Sequence, residues 1–163
     1  MVAIMDGGEI DEKDSYDRDT YKYCDGDIVG ASDIVIYRTQ FDVANVKWGG
    51  DWRMPSLDEV KELIDNCKYE YITLNGVEGG RFIAPNGNSI FLPSAGCYHN
   101  RYLWFDMLDQ RGAGGEYWTG DLYGNDDDEA FYLNFYKFNG TTKVDFLWDK
   151  RWFGRQVRPV KSR

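Results

Sequence analysis

Ser56 and Glu59 stand three residues apart, directly before an apolar series made of Val60, Leu63, Ile64 and Cys67. This is the pattern of a capping box. The serine hydroxyl accepts from the backbone N–H of the third helical residue, and the glutamate reaches back to the serine N–H. The apolar spacing puts all four residues on one face, while Asp58, Glu59, Glu62 and Asp65 cover the other. A helix over 56–67 is therefore predicted. A shorter one is predicted at 42–48, with Asp42 as its cap and Gly49-Gly50 as its stop. Beyond residue 67 the chemistry is that of strands. Segments 81–84 and 89–92 flank Pro85-Asn86-Gly87-Asn88, a hairpin signal. Further short strands are predicted at 116–119, 130–135, 143–146 and 156–160, with one earlier at 33–37. Two helices followed by several strands is an α+β layout, not an alternating βαβ one. Val60, Leu63 and Ile64 should pack on a twisted antiparallel sheet, and Trp52 and Trp118 should be largely buried.

One domain over 1–163 accommodates this layout, and a chain of this length buries enough apolar surface to fold unaided. The net charge of −9 argues against nucleic acid and against an anionic membrane surface, both of which need clustered cations. The charge is uneven: 6–33 is acidic and 150–163 is basic. No apolar run approaches the ~20 residues that span a bilayer, so no direct membrane insertion is expected. No signal peptide is visible at the start of the chain.

Residues 98–153 hold 16 of the 27 aromatic residues. Trp118, Phe135 and Phe146 fall in strand patterns. The others alternate with Asp, Asn, Arg and Gly in sequence that does not read as strand, the composition of a binding surface. The competing reading is a set of long loops that bury their own rings. The candidate ligand-binding residues are Tyr98, His99, Arg101, Tyr102, Trp104, Asp106, Tyr123, Asn125, Asp126, Asp127, Asp145, Leu147, Trp148, Asp149, Trp152 and Phe153. They are expected to converge on one solvent-facing surface.

Catalytic signatures are thin. His99 is the single histidine; Cys97 stands two residues before it, a spacing that would share one face of a strand and so does not forbid a Cys–His pair, but no third group orients it. The run Asn125-Asp126-Asp127-Asp128-Glu129 lacks the glycine-punctuated spacing of a calcium loop and reads as a solvated acidic turn. No catalytic residue, cofactor or metal is expected. Cys24 and Cys67 are compatible with a disulfide in an exported protein and equally with two buried thiols.

Five motifs in order carry a family resemblance: Trp48-Gly49-Gly50-Asp51-Trp52-Arg53-Met54-Pro55-Ser56, Glu62-Leu63-Ile64-Asp65-Asn66-Cys67, Asn86-Gly87-Asn88-Ser89-Ile90-Phe91-Leu92-Pro93-Ser94-Ala95-Gly96, Tyr117-Trp118-Thr119, and Gly154-Arg155-Gln156-Val157-Arg158-Pro159-Val160. Over 9–160 the chain resembles the major paralogous (FISUMP-like) domain of bacterial surface proteins, although no opening strand is legible before Gly7. The resemblance implies a C-type lectin-like fold of the branch related to formylglycine-generating enzymes, with two helices packed on short antiparallel strands. The active-site cysteines of the enzyme relatives have no counterpart, which implies a non-enzymatic domain. The resemblance also implies a variable protein of a diversity-generating retroelement, in which adenine-directed mutagenesis rewrites codons near the C-terminus. The matching positions are Asp145, Leu147, Trp148, Asp149, Trp152 and Phe153, with Arg151 and Gly154 as fixed scaffold. An Asn codon with both adenines replaced cannot encode Trp, so Trp148 and Trp152 are either template-encoded or the mark of an ordinary paralogue. The expected function is a receptor- or adhesin-type domain at a cell or virion surface that binds a protein or glycan on another cell or particle. The alternative is a fixed-specificity adhesin or glycan-binding module, and an enzyme of the formylglycine-generating type is the third reading.

Overall fold

The computed structural model describes residues 2–3, 35–97, 113–124 and 129–162. Strands β1 (Val2–Ala3), β6 (Gly114–Leu122), β7 (Glu129–Phe138), β8 (Thr141–Lys150) and β9 (Arg155–Gln156) form a five-stranded sheet in the order β1-β9-β6-β7-β8. Strands β3 (Lys68–Leu74), β4 (Val77–Ile83) and β5 (Ser89–Pro93) form a second sheet, and β2 (Trp52–Arg53) pairs with β10 (Val160–Lys161). Helices α1 (Val43–Trp48) and α2 (Leu57–Asn66) complete a mixed α+β structure dominated by strands. Among the described residues neither helix is long and apolar enough to cross a membrane.

Both predicted helices form, with their predicted caps. Ser56 and Glu59 satisfy each other's backbone N–H groups at the start of α2. The buried Asp42 carboxylate begins α1 by accepting from Ala44 and Asn45 N–H, and also accepts from Arg38 and Met54 N–H, which ties the helix to β2. The five-stranded sheet is covered on both sides. One face, with Tyr117, Leu133 and Phe135, packs against Val60 of α2 and Phe82 and Leu92 of the second sheet; Leu63 and Ile64 contribute from half-buried positions. Phe135 lies so close over Gly115 that any Cβ there would collide with its ring. The opposite face, with Trp118, Ala130 and Tyr132, packs against Ile36, Phe41, Val43, Ala44 and Met54. A bulge between Trp118 and Leu122 bends β6 toward both layers: Gly120 bonds Pro55 and Ile36, and Asp121 accepts from Leu57 N–H at 2.7 Å, at the first turn of α2.

Several expectations are corrected. Trp118 is fully buried, but Trp52 is 40 % exposed, because β2 belongs to a two-residue ribbon outside the main sheet and its ring packs on Trp48. The strand predicted at 156–160 is split into β9 and β10, with Pro159 between them unable to donate to a ladder. The strand predicted at 33–37 is a single bridge, Val35 to Asp121. Strand β3 was not anticipated, and β8 runs four residues past the predicted 143–146. Cys67 is a half-buried thiol and Cys97 is buried; Cys24, the other half of the disulfide alternative, lies outside the described residues.

Candidate functional site

Strand β8 decides where the candidate residues go. Its ten residues pair in continuous antiparallel register with β7, from Thr141 opposite Phe138 to Lys150 opposite Glu129. Side chains therefore alternate between faces. Val144, Phe146 and Trp148 follow the α2 side, opposite Phe135, Leu133 and Phe131. Asp145, Leu147 and Asp149 point the other way, opposite Asn134, Tyr132 and Ala130. The expectation that 147–149 is irregular, and that Asp145, Leu147, Trp148 and Asp149 present one surface, is corrected: these positions lie in a regular strand and divide between its two sides.

On the α2 side an aromatic platform forms beyond the helix. Phe146 is half-buried, with Lys61 Nζ 5.5 Å from its ring centroid. Two residues on, Trp148 is 47 % exposed. Tyr123, just after β6, stacks on it almost parallel, with centroids 4.4 Å apart and planes 4° from each other. Phe131 meets both rings edge-on at 5.4 and 6.4 Å. Next to them Lys150 pairs with Glu129 at 2.9 Å and lies 5.6 Å from the half-buried Trp152 ring. The platform thus gathers Tyr123 and Trp148 from the candidates and adds Phe131, Glu129 and Lys150, which composition did not single out; Trp152 is linked to it through Lys150 and meets the Phe153 ring edge-on at 6.3 Å.

On the other side Asp149 has a structural task. Arg155 is 1 % exposed and pairs with Glu116 and, at 2.7 Å, with Asp149. Its guanidinium lies 3.9 Å from the Tyr132 centroid and 4.4 Å from that of Trp118. Burial acts to lower the Arg155 pKa, but the charges of Glu116 and Asp149 act the other way and hold it above its ordinary value, so the side chain stays ionised. Burial also pushes the Tyr132 hydroxyl up to about 12. Asp145 and Asp149 each accept from the backbone N–H of the following residue, at 2.8 Å to Phe146 and to Lys150. These N–H groups lie on the edge of β8 that no described strand pairs with, so the two carboxylates blunt that edge against a further strand.

Phe153 is corrected as a contact residue: it is 6 % exposed and packs near Arg155, with its carbonyl accepting from the Trp118 indole N–H. Leu147 is 36 % exposed on the Arg155 side. Arg151 and Gly154, expected as scaffold, are buried. Tyr98, His99, Arg101, Tyr102, Trp104, Asp106, Asn125, Asp126 and Asp127 lie outside the described residues. Among the described residues no group of three or more His, Cys, Asp or Glu is placed to hold a metal ion.

No protein-family model, curated protein or solved structure matches the chain.

Proposed function

We propose that this chain is a non-enzymatic ligand-binding domain of the C-type lectin-like fold, displayed on a cell or virion surface, whose recognition site is the Tyr123–Trp148 platform and the linked Trp152. The observation that carries this reading is the half-exposed Trp148 stacked flat on Tyr123. A large ring pre-organised by a neighbour and left in water offers contact area at little entropic cost. The partner is a protein or glycan on another cell or particle. The rigid strand beneath lets the outward side chains change without disturbing backbone hydrogen bonds, which suits a variable protein of a diversity-generating retroelement.

A fixed-specificity adhesin is the second reading. It is favoured by Asp149 and Phe153: a position that neutralises a buried arginine or fills the core is a poor one to rewrite. A library randomised at Tyr123, Trp148 and Trp152 separates the two. A diversifiable surface yields mostly folded members with unchanged melting temperature, from which binders to unrelated proteins can be selected. Loss of folding in most members contradicts the variable reading. In either case Trp148→Ala should weaken a selected or natural partner by about 2 kcal/mol, roughly 30-fold.

A further inference from the structure

A second exposed aromatic site is built from other elements. Trp48, the last residue of α1, is 51 % exposed, and Trp52 of β2 is 40 % exposed. Their centroids are 6.0 Å apart and their planes meet at 61°. With Arg158 and Pro159 they line a cleft of about 280 Å³. The corner is held in place: the buried Asp42 starts α1, Asn45 Nδ2 donates to the carbonyls of Gly50 and Trp52, and β2 is clamped to β10. Two half-exposed tryptophans on a fixed backbone forgo burial that would otherwise stabilise the fold, and such apolar exposure marks interaction sites.

The charges around the corner select the ligand. Arg158 is exposed and makes no ion pair among the described residues. Lys161 is exposed and pairs directly opposite Trp52, so the two side chains share a face of the ribbon. The nearest acidic residue in sequence is Asp51, in the turn between the tryptophans. In a chain of net charge −9 this is a local cationic exception. Rings inclined at 61° make an open corner, not the parallel slot that clamps a flat aromatic ligand. Each ring face carries negative potential and suits the weakly positive C–H groups on one side of a saturated sugar ring. The guanidinium fork suits a carboxylate, which it engages by two parallel hydrogen bonds. The volume lies just below the ~300–1,000 Å³ of drug-sized pockets and suits one ring-sized unit.

We propose that the Trp48–Trp52–Arg158 cleft binds a carboxylate-bearing pyranose, that is, a uronic-acid type residue of an acidic glycan. This site is independent of the Trp148 platform. The test titrates the intact chain with a galacturonic acid trisaccharide and with a galactose trisaccharide of the same linkage, by tryptophan fluorescence and calorimetry. The acidic sugar should bind saturably at ~1 mM or tighter, and the neutral one at least tenfold more weakly. Arg158→Gln should abolish that preference, and Trp48→Ala and Trp52→Ala should each cost tenfold or more for the acidic sugar at unchanged melting temperature. If Trp52→Ala fails to fold, Trp48→Ala and Arg158→Gln carry the test. Absence of saturation, equal affinity for both sugars, insensitivity to these substitutions, or preference for a polyproline peptide would each overturn the proposal.

Discussion

Asp149 and Trp148 are neighbours on one strand, yet they belong to different parts of the molecule. Asp149 turns toward Arg155, where a buried cation is enclosed by three aromatic residues and two carboxylates. Trp148 turns away, onto Tyr123 and into solvent. Both sides are rich in aromatics and charge. The difference is that on the Arg155 side the buried cation is paired with two carboxylates and the rings around it are covered, whereas on the Trp148 side a large ring is supported from beneath and left open. Composition marks both kinds of region alike, and strand register separates them.

The largest effect should come from the buried side. Arg155→Ala leaves Glu116 as an uncompensated buried carboxylate and removes the cation from three rings, so it should cost about 3–5 kcal/mol in chemical denaturation. A cost below ~1 kcal/mol would mean that the cluster is not organising the sheet. Asp149→Ala removes one of two counter-charges, and the half-exposed carboxylate is partly replaced by water, so the loss should be about 1–3 kcal/mol.

A smaller effect concerns the junction between β6 and α2. Burial raises the pKa of Asp121, partly offset by hydrogen bonds from Leu57 N–H and the Tyr37 hydroxyl. A carboxyl with a raised folded pKa binds its proton more readily folded than unfolded. Its contribution to stability is therefore greatest at low pH and falls as pH rises from the ordinary aspartate range through the folded pKa. Glu59, held low chiefly by its hydrogen bond to Arg53, works in the opposite sense and loses its contribution as pH falls. Denaturation midpoints of the wild type and Asp121→Asn across this range should separate the two: the wild type loses stability relative to the variant as pH rises. A constant difference at every pH would contradict the assignment.

Local chemistry made much of the fold legible. The Ser56–Glu59 box and the Asp42 cap are satisfied within a few residues of themselves, so both helices could be read directly. The hairpin at 86–87 was legible for the same reason. Two further Asn-Gly steps carried the same signal: Asn75-Gly76 joins β3 to β4 and Asn139-Gly140 joins β7 to β8, all four residues at positive φ. Together they mark β3 and the full length of β8, in which Val144, Phe146 and Trp148 continue one alternation. Burial was not legible in this way. Trp52 and Trp118 are the same residue type in similar polar surroundings, and only the sheet that each joins sets their exposure. Likewise Asp149 reads as a surface aspartate until Arg155, six residues on and in another strand, is seen beside it.

The most direct test compares two adjacent substitutions on β8 by equilibrium denaturation under identical conditions. Trp148→Ala gives up a stacking contact at a half-exposed site and should cost no more than ~1 kcal/mol. Asp149→Ala should cost about 1–3 kcal/mol by weakening the hold on Arg155. The larger loss should thus fall on the polar residue. If Trp148→Ala proves the more destabilising of the pair, the ring serves the core and the strand does not divide stability from recognition.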